Sequence, residues 1–556
     1  MKNDTFAKAL KCICFAAIAI ALFAGIQTVL TPKWRYPAFD DAPEDMMKEF
    51  YQAAEGADIQ AVFLGTSHME FGADPMKIYE ETGIVSFNLA SSTQPLPVSC
   101  ALCAEMFAQN CDPNVVILDV SKLFQPDFFT PAYRYLLENM KLGAGKVQLA
   151  KAFAAEHPKE KQLNAFLSAF FPIYEYHDRW TELTDQSFKP VAEHNLYRKG
   201  HFIMSNIFDS GMDADEMNAV AEIMHSDNLW EYELSDGGIQ INESTDVLYR
   251  PELDDRSVSY LLAIKELCAA NGAKLILTKI PAVGAPQSYG GAWTKIKSEL
   301  VHEFAETNGL EFLDLLYDVD LAIDWAHDSA DGGRHLNFNG ARKVSAFFAD
   351  YLQNECGLTG SGCEIYDKDI PIYDSVCRLA DLQMTSDLTA YLTRLLQLED
   401  VTVLFSASDD MISGLTQAER DALDHFGLHT DRISFRSSFL AVKECGTLVY
   451  EAASNHNIEH QGRLAGGNSY SLISSGWLTM PASAIVVDTV DYSMNARGLN
   501  IVVLDNASGL VWDSVAFDTC SGGDHPAIRD YSRTEKLLRE YEEYLMIQDA
   551  KSGIGA

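Results

Sequence analysis

Unbroken apolar runs at Ile59 to Leu64, Val85 to Leu89 and Val115 to Val120 are separated by stretches of helical length at residues 74 to 82 and 97 to 109. Short runs without polar alternation predict buried strands, and strands alternating with helices predict parallel pairing through crossovers. The pattern resumes later: a helix from about Ser257 to Asn271, a strand from Lys274 to Ile280, a helix from Trp293 to Thr307, a strand from Glu311 to Asp314 and a last helix from Asn339 to Gln353. Residues 55 to 356 are therefore expected to form a three-layer α/β/α, flavodoxin-like domain with a parallel sheet.

The interval from about 122 to 250 has helical periodicity at Ala132 to Leu142, Gly145 to Glu156 and Gln162 to Phe170. It predicts a helical insertion over the C-terminal edge of the sheet, where such folds place their ligands. Beyond residue 360 the composition turns to β-branched residues and turns. Strands are expected at Thr402 to Ser406, Ser438 to Val442, Thr447 to Glu451, Ser469 to Ser474, Ala484 to Val487, Leu499 to Leu504 and Leu510 to Phe517. Asp505-Asn-Ala-Ser-Gly509 reads as a tight hairpin connection. A β-rich (α+β) domain over residues 360 to 530 follows, with a charged helix at 533 to 548 inside a C-terminal segment, 531 to 556.

The N-terminus changes this picture. Cys12 to Leu30 has Gln27 as its only strongly polar member and is preceded by Lys2, Lys8 and Lys11. That length suits a bilayer-crossing helix, and basic residues ahead of it place the N-terminus in the cytoplasm. Residues 1 to 35 are thus expected to anchor the chain in a lipid bilayer through residues 12 to 30. A linker at 36 to 54 follows, and the later domains lie outside the cell. A cleaved signal peptide is the competing reading, since Ala19-Ile20-Ala21 and Ala21-Leu22-Phe23-Ala24 offer small-residue sites.

With 42 basic against 80 acidic residues the formal charge is −38, which excludes nucleic acid as a partner and serves solubility. No acidic cluster has calcium-loop spacing and no Cys/His group has zinc spacing, so neither metal nor cofactor is expected. Of 11 cysteines, Cys12 and Cys14 belong to the apolar segment and the odd remainder requires a free thiol. Cys356 and Cys363 are close enough for a small disulfide loop. Cys100 and Cys103 read as one buried helix face.

Candidate chemistry sits in Val62-Phe-Leu-Gly65-Thr66-Ser67-His68 and, far along the chain, in His335-Leu-Asn-Phe-Asn-Gly340. A strand ending at Gly65 delivers a hydroxyl on a sharp turn, and a distant imidazole can accept its proton. The third group would be a carboxylate that fixes the imidazole, Asp331 or Asp328, with Asp331 preferred because Gly332 and Gly333 can fold the loop back. Each residue also has a plainer use: Ser67 as a helix N-cap for residues 68 to 82, His335 as a loop histidine.

Gly65-Thr-Ser-His68, Phe87-Asn-Leu-Ala-Ser-Ser92, Val115-Val-Ile-Leu-Asp-Val-Ser121 and His335-Leu-Asn-x-x-Gly340-Ala-x-Lys343 occur in the order and spacing that resembles SGNH (GDSL-like) hydrolases. Within that family the likeness is to the membrane-anchored, cell-surface branch related to DltD and to polysaccharide O-acetyl-transfer proteins. The resemblance implies Ser67 as nucleophile, His335 as base, Asp331 as orienting carboxylate and the Ser67 N–H in the oxyanion hole. Asn88, Ser92, Asp119, Ser121, His68, Tyr176, His177 and Arg179 are the oxyanion or substrate candidates. Tyr176-His-Asp-Arg-Trp180 reads alternatively as a helix start whose rings pack and whose Asp178 or Arg179 makes an ion pair. Departures stand at Gly332, where the family has its Asp, at Asp119 and Ser121 in place of a Gly-x-Asn-Asp element, and at Ala90 and Thr93 in place of glycines.

Tyr492 to Asp505 followed by Val515-Ala-Phe-Asp-Thr519, with Arg436-Ser-Ser-Phe439 and Ser408-Asp-Asp410, resembles the ILEI/PANDER domain, which implies an extracellular setting and glycan binding. Trp477, Trp512 and Tyr470 suit either a sugar platform or a β-domain core. Two functions follow. One is an anchored esterase or O-acyltransferase acting on a cell-surface polysaccharide or other acylated glycan, with a membrane-bound acyl-transfer partner. The other is a catalytically silent surface protein that binds glycan or protein.

Overall fold

The computed structural model describes residues 2–31, 44–124, 130–188, 197–203, 232–235, 238–241, 247–248, 252–282, 290–330, 333–398, 400–477 and 479–553. Helix α1, Lys2–Leu30, contains the 21-residue stretch Leu10–Leu30, the one helix among the described residues long and apolar enough to cross a bilayer. At a rise of about 1.5 Å per residue it spans roughly 30 Å.

A five-stranded parallel sheet follows, built from β1 (Ala61–Leu64), β2 (Ser86–Asn88), β3 (Val115–Asp119), β4 (Lys274–Lys279) and β5 (Glu311–Asp314) in the order β5-β4-β3-β1-β2. Its strands have no polar alternation because both faces are covered. Val62, Leu64, Val116 and Leu118 pack on one face with helices α2 (Glu44–Gly56), α5 (Leu96–Ala108) and α6 (Asp255–Ala270). Ala61, Phe63, Val115 and Ile117 pack on the other against Met69 of α3 (Ser67–Gly72), Ile78 of α4 (Pro75–Thr82) and Val344 and Phe348 of α8 (Phe338–Asn354). Helix α7, Gly290–Asn308, joins β4 to β5. Asp74 caps α4 by accepting from Met76 and Lys77, with Pro75 in the first turn and a left-handed Gly83 at the end.

The interval expected to be a helical insertion supplies helices at Thr130–Asn139, Ala144–Ala155 and Gln162–Ser168, but it also carries strands. Tyr197–Arg198 and His201–Phe202 form a hairpin whose central residues, Lys199 at φ 55° and Gly200 at φ 82°, both adopt left-handed geometry, as a type I′ turn requires. Gly200 is needed besides because a Cβ there would lie 1.7 Å from the Asn88 carbonyl oxygen. A three-stranded antiparallel sheet, Tyr232–Ser235, Gly238–Ile241 and Val247–Leu248, lies further along. These strands are too short for period-two alternation to register, which is why the sequence reading missed them.

The second sheet has ten strands and is antiparallel save where β6 (Val401–Asp409) runs parallel to Ser469–Gly476. At its centre β6 pairs with β7 (Gly498–Asp505), and β7 turns through a tight connection into β8 (Val511–Phe517), with Gly509 at φ 71° as its sequence implies. Strand Ile458–Arg463 escaped the sequence reading because Ile-Glu-His-Gln-Gly-Arg offers almost no apolar face. Helix Glu364–Gln383 ties the two sheets together: Tyr366 donates to the Ser86 carbonyl (2.5 Å), Tyr373 to Asp74 (2.7 Å), and Gln383 to the Trp512 carbonyl (2.8 Å). All eleven cysteines are free, so the expected Cys356–Cys363 bridge does not form. Cys356 packs with the cluster on one face of the parallel sheet and Cys363 with the other. Cys100 and Cys103 are buried on α5, as their spacing implies.

Candidate active site

Ser67 stands at the first position of α3, directly beyond the C-terminal end of β1. The turn is held from beneath by Asp119, buried at the end of β3. Its Oδ2 accepts from the Thr66 hydroxyl (2.8 Å) and the Thr66 N–H (3.3 Å), and its Oδ1 from the Ser121 hydroxyl (2.6 Å) and N–H (3.1 Å). Gly65 lets the two strand ends meet, since a Cβ there would lie 2.5 Å from that of Asp119. The N-cap is Thr66, whose hydroxyl accepts from the His68 N–H. Ser67 is thereby released from the capping use the sequence left open to it.

His335 comes from the two-residue strand His335–Leu336, paired with Ser329–Ala330. Its Nε2 lies 2.8 Å from Ser67 Oγ, across 268 residues of sequence. Phe71 sets its edge against the imidazole at 5.1 Å between centroids, and the His68 ring lies 5.3 Å away. Two residues on, Asn337 caps α8 by accepting from the Asn339 and Gly340 N–H groups, while its amide donates to the His327 (2.9 Å) and Ser329 (3.1 Å) carbonyls. Gly340 is fixed by sterics, because a Cβ would meet the Asp328 carbonyl oxygen at 2.2 Å. The His-Leu-Asn-x-x-Gly segment therefore places one imidazole through one cap and one close backbone approach.

The other candidates separate. Asp331 lies outside the described residues. Asp328 is buried and accepts from Lys343 Nζ (2.6 Å) and the Asp324 N–H (2.7 Å), so its carboxylate braces the loop. Asn88 is fully buried and its amide is consumed: it donates to the Met69 (2.8 Å) and Ala73 (2.9 Å) carbonyls and accepts from the Ala90 N–H (3.0 Å). Such an amide pins α3 to β2 and has no donor left for a ligand. Ser92 donates to Glu70 at 2.9 Å. Ser121 and His68 lie beside Ser67, with Ser121 Oγ 3.3 Å from His68 Nδ1.

Tyr176, His177 and Arg179 are placed with α1. Tyr176 donates to Glu138 (3.0 Å), His177 pairs with the neighbouring Asp178 (3.1 Å), and Arg179 donates to the Leu30 carbonyl (2.5 Å) and pairs with Glu182 (3.7 Å). The ion-pair reading of this segment holds for Arg179, with Glu182 as its partner.

Sequence reasoning passed over Phe71, which shapes the imidazole's seat, and His201. The His201 ring is fully buried, with Nδ1 3.0 Å from the Glu70 carbonyl and Nε2 3.8 Å from Asp74. Burial pulls its pKa below the ordinary histidine value, against the opposing pull of Asp74 and the Glu70 carbonyl. An aromatic spaced four residues from a candidate serine on one short helix was the available signal for Phe71. None marked His201.

A hydroxyl at hydrogen-bond reach of an imidazole can pass it a proton while attacking a carbonyl. No family model matches the sequence, and no curated protein matches it. A solved structure of a candidate acylhydrolase from Bacteroides fragilis is similar over 56% of this chain and 97% of its own, at 13% sequence identity and a TM-score of 0.25. A likeness so slight leaves the fold and the chemistry of this chain to its own geometry.

Proposed function

We propose that the chain is a membrane-anchored serine esterase or O-acyltransferase of the SGNH kind, acting on acyl esters of a cell-surface polysaccharide. The observation that carries this is the 2.8 Å approach of Ser67 Oγ to His335 Nε2. His335 takes the hydroxyl proton as Ser67 Oγ adds to the ester carbonyl. The oxyanion forms beside the Ser67 N–H, which at the first position of a helix has no intrahelical acceptor. Collapse expels the alcohol, which leaves with the proton held by His335, and an acyl-Ser67 ester remains. Water releases the acid, or a sugar hydroxyl, supplied with a membrane-bound acyl-transfer partner, takes the acyl group. Labelling of the full chain with a serine-directed fluorophosphonate should occur in the wild type and vanish in Ser67→Ala and His335→Ala. Equal labelling of all three ends the proposal.

A second reading is a silent surface protein that binds glycan. Two observations favour it: the Asn88 amide and the Asp119 carboxylate are both spent on backbone and neighbouring hydroxyls, and Trp477 is half-exposed with the Arg436 guanidinium 5.1 Å from its ring centre. Trp512 and Tyr470, by contrast, are buried. Glycan-array binding by the full chain that disappears in Trp477→Ala, with no fluorophosphonate labelling, would select this reading.

A further inference from the structure

The end of α1 continues into a surface that the proposed chemistry does not use. Phe171, Tyr174, Trp180 and Phe188 are all exposed, Trp180 at 70% and Phe188 at 66%. They belong to the stretch of short helices and turns that packs against α1. Phe23 of α1 meets Phe171 edge-on at 6.2 Å, and Arg179 donates to the carbonyl of Leu30, the last residue of α1. The stretch is seated on the body of the protein: buried Arg134 holds Glu175 (2.5 Å) and the Ser168 hydroxyl (2.8 Å), and Tyr176 holds Glu138.

We propose that this aromatic face docks into the outer leaflet of the bilayer that α1 crosses, so that the protein is held to the membrane at two places. The inference rests on the reading of α1 as an anchor. Exposed rings on one short stretch packed against α1 are costly in water, and Trp and Tyr favour the membrane interface. The heights agree: Phe23 lies seven residues before Leu30, which at about 1.5 Å per residue puts Phe171 roughly 10 Å below the point where α1 leaves the hydrocarbon. That is the depth to which interfacial apolar faces sink. Arg179, level with Leu30 and paired with Glu182, sits where headgroups begin. Asp178, Glu182 and the chain's net charge of −38 make anionic lipid the wrong surface, and a zwitterionic one the fitting occupant.

The full chain, reconstituted in phosphatidylcholine vesicles carrying bromine at shallow acyl positions, reports on both claims. Flotation with the vesicles tests the anchor, and quenching of tryptophan emission tests the face. Trp180→Phe should still float but lose part of the quenched emission, whereas Trp477→Phe should lose none of it. Flotation with identical quenching in wild type and Trp180→Phe overturns the docking while sparing the anchor; failure to float overturns both. Trp180 emission that ignores brominated lipid and changes with protein concentration also overturns it, by showing a second copy of the chain as the occupant.

Discussion

Two regions of this protein are crowded with polar and aromatic residues, and they are built on opposite plans. Around Ser67 and His335 several polar side chains are tied to backbone: Thr66 and Asp119 to the turn after β1, Asn88 to α3, Asn337 to the loop beside His335. Among them Ser67 Oγ lies 2.8 Å from His335 Nε2, and Ser121 Oγ 3.3 Å from His68 Nδ1. In the Phe171 to Phe188 stretch a few side-chain ties, Arg134 to Glu175 and Tyr176 to Glu138, hold the segment while the rings stand outside. The contrast shows that a dense motif does not by itself mark chemistry. The 2.8 Å meeting of Ser67 and His335, remote in sequence, is the geometry on which the proposed chemistry rests.

The largest expected effect breaks that contrast if it is wrong. Ser67→Ala and His335→Ala should each lower hydrolysis of an activated aryl ester by on the order of 10⁴-fold or more, as losses from a cooperating Ser–His unit do. His177→Ala, at an exposed residue paired only locally, should leave the rate within about twofold. Comparable losses in all three would show that the two regions work on one substrate.

Stability gives the next effect. Asn88→Ala takes the side-chain donor from the Ala73 carbonyl and leaves the Met69 carbonyl with the Ala73 N–H, in a fully buried place where an unmet polar group costs about 1–3 kcal/mol. A loss of roughly 1–3 kcal/mol in denaturant unfolding is expected. Gly340→Ala should cost about 1–3 kcal/mol, because the added Cβ meets a carbonyl oxygen that α8 and the His335 strand hold in place. If Gly340→Ala is neutral in stability and in activity, the close approach does not set the position of His335.

The parallel sheet was legible because buried strands read as apolar runs and the crossover helices kept their period, so β1, β3, β4 and β5 fall within a residue or two of expectation. Ser67 and His335 were legible for a related reason, since each adjoins a glycine and a helix cap that have one geometric use. The short hairpin at residues 197 to 202 and the strand Ile458–Arg463 were not, because their cause lies in tertiary contact: the Asn88 carbonyl against Gly200, and a paired neighbour for an otherwise polar run. Asn88 shows the limit on the chemical side. Its residue type suits an oxyanion donor, and only the positions of two carbonyls 15 and 19 residues away decide that its amide is spent.

The smallest effect sets His201, behind the candidate site, against His525 in the second sheet's territory. Burial lowers the pKa of His201, so below its ordinary value of 6.5 the unfolded chain takes a proton that the folded one refuses, and stability falls as pH drops through that range. For His525 burial also pulls downward, but the Glu419 carboxylate at 2.7 Å and the Ser521 carbonyl at 2.8 Å outweigh it and raise the pKa. Its contribution is therefore complete below 6.5 and is lost as pH rises through the raised value. Thermal melting from pH 5 to 8 should show His201→Gln flattening the acid limb of the wild-type curve and His525→Gln flattening the alkaline limb. An acid limb unchanged in His201→Gln would mean that the ring keeps its proton when buried, with Asp74, 3.8 Å away, then acting as its counter-ion.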